Sequence, residues 1–363
     1  MESRIGRSLA IAASLALLSV AAVAGEFTEN FDLHADELRL INLIGEVTLE
    51  PIDGDAFEVA VRVRGDDASR DLISFDVDEG RDATLRVVFP LDEERRYVYP
   101  PLGRGKSTLN FERGGDATSS WLGKIIKGLK SDRITVSGRG KGVEVWADVT
   151  IGVPRDRAAE VRLGVGEIEA ENITGDLVLD INSGSVKATG IRGSVLGDTG
   201  SGRVDFSDIE GDVDADTGSG NVNIARCSGD RIHADTGSGS VSVEDVECAK
   251  LHVDTGSGGV TADRVRTEAA HIDTGSGSVK LQLLRMGRGK FIIDTGSGGI
   301  DLVMPEDASA EVRAETGSGG ISVDLPGVEI GRKKRDEMRF TIGDGDARVV
   351  LDTGSGGIRI RAL

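Results

Sequence analysis

The segment Phe291-Ile292-Ile293-Asp294-Thr295-Gly296-Ser297 carries the Asp-Thr-Gly signature that surrounds the catalytic aspartate of aspartic proteases. That chemistry needs two carboxylates within hydrogen-bonding reach, sharing one proton across a cleft. Here the pentapeptide Asp-Thr-Gly-Ser-Gly begins at Asp198, Asp216, Asp235, Asp254, Asp273, Asp294 and Asp352, with a Glu-Thr-Gly-Ser-Gly copy at Glu315. A dyad accounts for two aspartates, whereas a repeat accounts for all of them. The motif is therefore expected to build turns: glycine takes positive φ at no steric cost, and Asp and Thr side chains can bond nearby backbone N–H groups. A row of carboxylates about 5 Å apart could attract a divalent cation. The pentapeptide nevertheless lacks the Gly-Gly-x-Gly-x-Asp spacing of calcium-binding β-rolls, and one carboxylate per repeat is a poor cage for about six to eight oxygen ligands. No cofactor is expected.

His233, His252 and His271 each stand two residues before a first-position aspartate, and they are the candidate metal ligands. Apolar neighbours on both sides turn the three imidazoles outward beside the aspartate column. A straight ladder places the outer two about 10 Å apart at the backbone, which a tetrahedral three-histidine site could use only with large bends. Duplication of a repeat yields the same pattern without a metal. Cys227 and Cys248 are the two cysteines of the chain. Their register predicts Cα atoms about 8 Å apart, beyond the usual bridging range, so two buried thiols are expected over a disulfide.

Residues 119–130 place Trp121, Leu122, Ile125, Ile126 and Leu129 on one helical face and Lys124, Lys127 and Lys130 on the other. Such a helix can lie on an anionic membrane or cover an open sheet edge. Being short and holding two glycines, it is expected to cap or stay unstructured over touching a membrane. Arg332-Lys333-Lys334-Arg335 reads as a solvated loop tip.

The elements that carry these residues repeat with them. First positions from Asp198 to Asp352 are separated by 18, 19, 19, 19, 21, 21 and 37 residues, so the unit is small and the last interval holds an insertion at 326–347. Worn copies precede them at Asp180-Ile181-Asn182-Ser183-Gly184 and Arg162-Leu163-Gly164-Val165-Gly166. Val204, Val222, Val241, Val260, Val279, Ile300, Ile321 and Ile358 follow six residues after each first position, and apolar residues precede it by three. Alternation on both sides of a glycine turn marks half-buried strands. A third column runs through Ile173, Ile191, Ile209, Cys227, Val246, Val265 and Leu284, which predicts about three short strands per repeat.

Strands repeating every ~19 residues cannot each bury a face alone, but stacked ~4.8 Å apart they share one narrow core. The expectation is an all-β chain: a β-solenoid of about 9–10 short coils over 146–363, behind an N-terminal β region or cap at 25–100 and a basic, glycine-rich insertion at 101–145 with one short amphipathic helix. The alternative is an antiparallel sandwich with a hairpin at every pentapeptide. Ile41-Asn42-Leu43-Ile44-Gly45-Glu46-Val47 looks like a distant first copy.

Composition agrees. Of 363 residues 51 are glycine, and aromatics reach only 4%, too few for a wide core or for stacking nucleobases. Forty-three Lys+Arg against 62 Asp+Glu give a net charge of −19, which opposes binding to phosphate backbones, so no nucleic-acid partner is expected. Arg4 and Arg7, an apolar stretch from Leu9 to Val23, and Ala22-Val23-Ala24 form a secretory signal over 1–24, with Gly25 as the mature start. The mature protein is thus expected in the periplasm, at the cell surface or secreted.

Trp146-Ala147-Asp148-Val149-Thr150-Ile151-Gly152-Val153-Pro154, then Gly164-Val165-Gly166-Glu167-Ile168, Asn182-Ser183-Gly184-Ser185-Val186 and the successive Thr-Gly-Ser-Gly turns, resemble the bacterial putative-adhesin family of β-strand-repeat proteins, a domain of unknown function. The resemblance is strong over ~200 residues and weak from Leu38 to Val63; the insertions at 101–145 and 326–347 depart from it. It implies an exported β-repeat protein without an established catalytic activity. Taken together, a non-enzymatic, acidic envelope protein is expected, adhesin-like, scaffolding or stress-sensing, with an unknown protein or polysaccharide ligand. The competing expectations are a carbohydrate-active enzyme on a β-helix, which needs clustered, non-repeating acidic, basic and aromatic residues in a groove, and a peripheral membrane protein acting through 119–130.

Overall fold

The computed structural model describes residues 25–110, 133–326, 328–333 and 336–363. The expected leader at 1–24 and the expected helix at 119–130, with Trp121, Leu122, Ile125, Ile126 and Leu129, lie outside the described residues, as do Lys334 and Arg335 of the basic patch. Among the described residues the chain is all-β, apart from a 3-10 turn at Pro100–Leu102. Nearly all strands join one 25-stranded sheet.

The repeat dictates the pairing. Val195–Thr199 lies parallel between Leu177–Thr189 and Val213–Thr217, with Asp198 level with Asp180 and Asp216. On the other side of the turn Val204–Ser207 lies parallel between the same long strand and Val222–Ala225. Like residues fall on like residues, coil after coil, so the valines and isoleucines bracketing each pentapeptide fuse into one buried column cluster. Hairpins at the pentapeptides, the sandwich alternative, are absent among the described residues: the two strands beside each turn pair with other coils and not with each other.

Most repeats form two strands, not three. In the N-terminal repeats the third column is held by single bridges, Thr174 to Arg192, Arg192 to Glu210 and Glu210 to Ser228, at a corner where non-glycine residues adopt positive φ. From Ser228 on it joins the strand that enters the turn, as Ser228–Thr236 against Glu247–Thr255. Where the repeat lengthens, a register shift inside Val260–Thr274 sets Val265 against Leu283. Leu283 is therefore buried in that column and Leu284 is only half-buried, correcting the column by one residue.

Chain order and spatial order part company at both ends. Ala347–Thr353, from the last copy, inserts between Lys290–Thr295 and Ala310–Thr316, and Ile358–Ala362 inserts between Ile300–Met304 and Ile321–Asp324. The Glu315 coil, not the Asp352 coil, ends the stack. The insertion at 326–347 is a hairpin, Glu329–Lys333 with Glu337–Ile342, whose second strand covers Ala310–Thr316 antiparallel. Arg332 and Lys333 consequently belong to a strand and not to a loop tip.

At the other end Glu37–Ile52 pairs parallel with Ala158–Glu171, Gly45 level with Gly166 and Val47 with Ile168, so the distant first copy is a true coil. Its far side is completed by two separate segments, Asp82–Val88 and Trp146–Pro154. Ser74–Asp78 and Phe57–Arg64 close these antiparallel, and Phe27–Leu33 pairs with the latter. Covering a parallel stack with antiparallel strands leaves fewer unpaired backbone groups open to another chain.

The region at 101–145, expected as an insertion, contributes Lys106–Asn110 and Arg133–Ser137 to a small sheet with Arg96–Val98 from the end of the N-terminal region. Tyr97, Leu109, Ile134 and Val136 are fully buried in the common core. A Cβ on Gly164 would come 3.2 Å from Leu109 Cδ1, which places this sheet directly over the worn turns at 41–45 and 162–166. Those turns have apolar residues, Leu43, Ile44, Leu163 and Val165, because they are covered, and the strands run straight through them.

Candidate functional site

The turn is built by threonine. Thr217, Thr236, Thr255, Thr274, Thr295 and Thr353 are fully buried. Each donates its hydroxyl to a glycine carbonyl of the adjacent coil, as Thr274 does to Gly258 O at 2.8 Å, and accepts the amide of the glycine three residues on, Gly277 N at 3.0 Å. Asn42 takes the same register position in the first long strand and donates to Ala147 O at 2.7 Å. The glycines have a different reason from the expected one. Positive φ occurs at Gly184 and Gly202 but not at Gly239, Gly258 or Gly277; there a Cβ would overlap the carbonyl oxygen of the glycine one coil away.

The aspartates of the turn ladder point outward from the strand that enters it. Asp198, Asp216, Asp235, Asp254, Asp273, Asp294, Asp352 and Glu315 form one column, each level with its neighbours. No two face each other across a cleft, so the dyad geometry of an aspartic protease does not arise. Partial burial and the adjoining carboxylates raise the pKa values of Asp216 and Asp294. Burial, with Asp214, does the same at Asp198.

The histidines form the adjacent column. His233 and His252 stack with ring centroids 4.8 Å apart, and His252 and His271 with centroids 5.0 Å apart and nearly parallel planes. Asp214, a residue the motif reading passed over, ends this row and meets His233 Nδ1 at 2.8 Å through Oδ1. The hydrogen bond to Asp214 raises the pKa of His233, whereas burial and the two neighbouring imidazoles lower that of His252. Its register signal was the shared column: Asp214 occupies in its coil the place His233 occupies in the next. Among the described residues no group of three or more His, Cys, Asp or Glu side chains is arranged to hold a metal ion.

Cys227 and Cys248 are both buried and unbridged. Cys227 lies under the third-column corner, where burial pushes its thiol pKa up to about 11, and Cys248 is raised for the same reason. Neither is a poised nucleophile.

A non-repeating cluster of basic, acidic and aromatic groups lies at the N-terminal end. Arg64 lies over the Trp146 ring at 5.4 Å and donates to Asp148 at 3.0 Å, while Tyr99 meets Trp146 edge-on at 5.7 Å. Tyr99 is 2% and Trp146 8% exposed. Rings buried this far are core, not a platform on which a sugar could stack.

The molecule is thus an all-β protein of parallel, stacked repeats. The chain belongs to the Toastrack DUF4097 family, which it matches over residues 146–361. No curated protein matches it in sequence. Solved structures similar to it include a putative cell adhesion protein from Clostridium sporogenes, 10% identical with TM-score 0.22 over 93% of this chain and 100% of that one. A putative adhesin from Bacteroides fragilis is 9% identical with TM-score 0.33, over 94% and 98%. A putative lipid binding protein from Parabacteroides distasonis is 11% identical with TM-score 0.39, over 92% and 97%. At these scores the likeness carries no argument about what this chain binds.

Proposed function

We propose that this chain is an exported, non-enzymatic β-solenoid that presents a regular acidic face in the cell envelope, in an adhesin-like, scaffolding or stress-sensing role. One observation carries the reading. The side chains able to do chemistry recur once per coil and stand level with their own copies, Asp235 with Asp254 and Asp273, His233 with His252 and His271. Catalysis needs unlike groups converging on one reacting atom, whereas recognition of an extended ligand needs like groups repeated along a line. The leader at 1–24 supports export.

The test has two arms. Purified protein is incubated with a panel of envelope and extracellular polysaccharides, and intact cells are fractionated after expression. The expected outcome is no new reducing ends and recovery outside the cytoplasm with residues 1–24 removed. Cleavage of any polysaccharide, or retention of the full-length chain in the cytoplasm, overturns the proposal.

A further inference from the structure

Three of the five coils in the C-terminal half, those of Asp254, Asp294 and Asp352, carry a cation, a neutral residue and an acid in three outward columns on the strand that enters the turn. The Asp273 coil has Ala269 at the cation position, and the terminal Glu315 coil has Glu311 there with Arg313 in the middle. In the three, the residue four positions before the first-position acid is Lys250, Lys290 or Arg348; the residue two before it is His252, Ile292 or Val350; the acid is Asp254, Asp294 or Asp352. The residues between them, such as Leu251 and Val253, are buried, so the three columns share one face. Lys250, Lys290 and Arg348 are exposed and, among the described residues, make no ion pair. Asp254, Asp294 and Asp352 likewise make none. Within a strand the two charges are four residues apart, about 13 Å, which is too far to meet. On these three coils a free cation and a free acid therefore flank a neutral residue, with one coil lacking the cation between Lys250 and Lys290.

We infer that this face docks on the same face of a second copy of the chain, about a two-fold axis parallel to the stack and running over the His252–Ile292–Val350 column. That axis reverses strand direction while keeping each coil opposite itself. It brings Lys250 against the partner's Asp254, Lys290 against the partner's Asp294 and Arg348 against the partner's Asp352, each twice by symmetry. The middle stripe packs on its own copy, at the ~10 Å separation of stacked sheets. A two-fold axis along the strands would instead lay acids on acids, so the charge pattern selects one orientation. In the N-terminal half of the stack the cation column is replaced by Asp176, Ser194 and Asp212, and in the terminal coil by Glu311, which confines the contact to the coils from Asp254 to Asp352 and makes it a small, dissociable interface.

Sedimentation equilibrium of the purified protein at neutral pH and low salt tests this. Wild type is expected to double its mass by about 100 µM and to weaken as salt is added, the opposite of the trend for like-charged molecules held apart by repulsion. K250E/K290E and D254K/D294K should each raise the half-dissociation concentration more than about tenfold, the equivalent of 1.4 kcal/mol. An equimolar mixture of the two should restore a dimer containing one copy of each. That result cannot come from a variant that failed to fold. A monomeric wild type, variants that dimerise as wild type does, or a mixture that stays monomeric while both variants keep the wild-type circular dichroism spectrum overturns the inference.

Discussion

The hydroxyl of Thr274 bridges two coils: it donates to Gly258 O at 2.8 Å and accepts Gly277 N–H at 3.0 Å. Thr274 is fully buried while Gly258 and Gly277 are half-buried, so losing the hydroxyl leaves a carbonyl and an amide without this partner and only partly open to water. Thr274→Val keeps the shape and is expected to destabilise by about 1–3 kcal/mol, from two half-buried groups at the low end of about 1–3 each. Urea unfolding checks it. A loss below about 0.5 kcal/mol, within the error of such a measurement, would show that water replaces the bridge.

Neighbouring glycines should behave in opposite ways. A Cβ on Gly258 would overlap Gly239 O, while one on Gly259 would meet only Ser278 O, at 3.4 Å. Gly258→Ala is expected to cost more than about 3 kcal/mol or to prevent folding, and Gly259→Ala to stabilise by about 0.4–1 kcal/mol through the unfolded chain. Thermal melts of both variants decide this, and equal effects would remove close coil approach as the reason for the pentapeptide glycine.

The histidine row should titrate in a set order. His233, held up by Asp214, is expected to have a higher pKa than His252, held down by burial and by the imidazoles on either side. The linkage signs are opposite. His233 adds stability below its unfolded pKa and loses it as pH rises through its raised folded value. His252 removes stability as pH falls from its unfolded pKa through its lowered folded one. NMR titration of the ring resonances reads the order, and Asp214→Asn should bring His233 down toward His252; an unchanged His233 would mean the 2.8 Å contact is not formed in solution.

Arg226 holds φ at 54° and donates two 2.7 Å bonds to Asp208. The left-handed conformation costs a non-glycine residue about 1–2 kcal/mol, while an ion pair this exposed is screened by water and contributes little. Arg226→Gly is therefore expected to leave stability unchanged or raise it by up to about 1 kcal/mol. A chemical-denaturation midpoint that falls substantially would give the pair more weight than its exposure allows.

The two thiols should be silent in the folded protein. With Cys227 raised to about 11 and Cys248 also raised by burial, a thiol reagent is expected to label neither until denaturant is added, and then both. Intact mass with and without reductant should be identical after alkylation of the unfolded chain. A two-hydrogen deficit without reductant would reveal a disulfide.

What was legible in the sequence was whatever recurs. Each pentapeptide meets the same neighbours one coil away, so Val222 and Val241 declare a buried column, and Asp235 and Asp254 an outward one, by spacing alone. The outward turn of His233, His252 and His271 followed from the same alternation, as did the absence of an aspartic dyad. Tertiary structure decided what does not recur. Thr274, not the aspartate beside it, makes the turn's cross-coil bonds, because inward and outward sides of a turn look alike in a string of small polar residues. Gly258 answers to a carbonyl oxygen 19 residues away, a steric condition that local φ preferences do not register. The Asp352 coil slots in before the Glu315 coil, and Glu37–Ile52 lies between segments that follow it in the chain. Identical repeats offer near-identical stacking surfaces, so their order is settled by which ends the antiparallel strands at 57–64, 74–78 and 337–342 can close, a property of the assembled stack and of no single repeat.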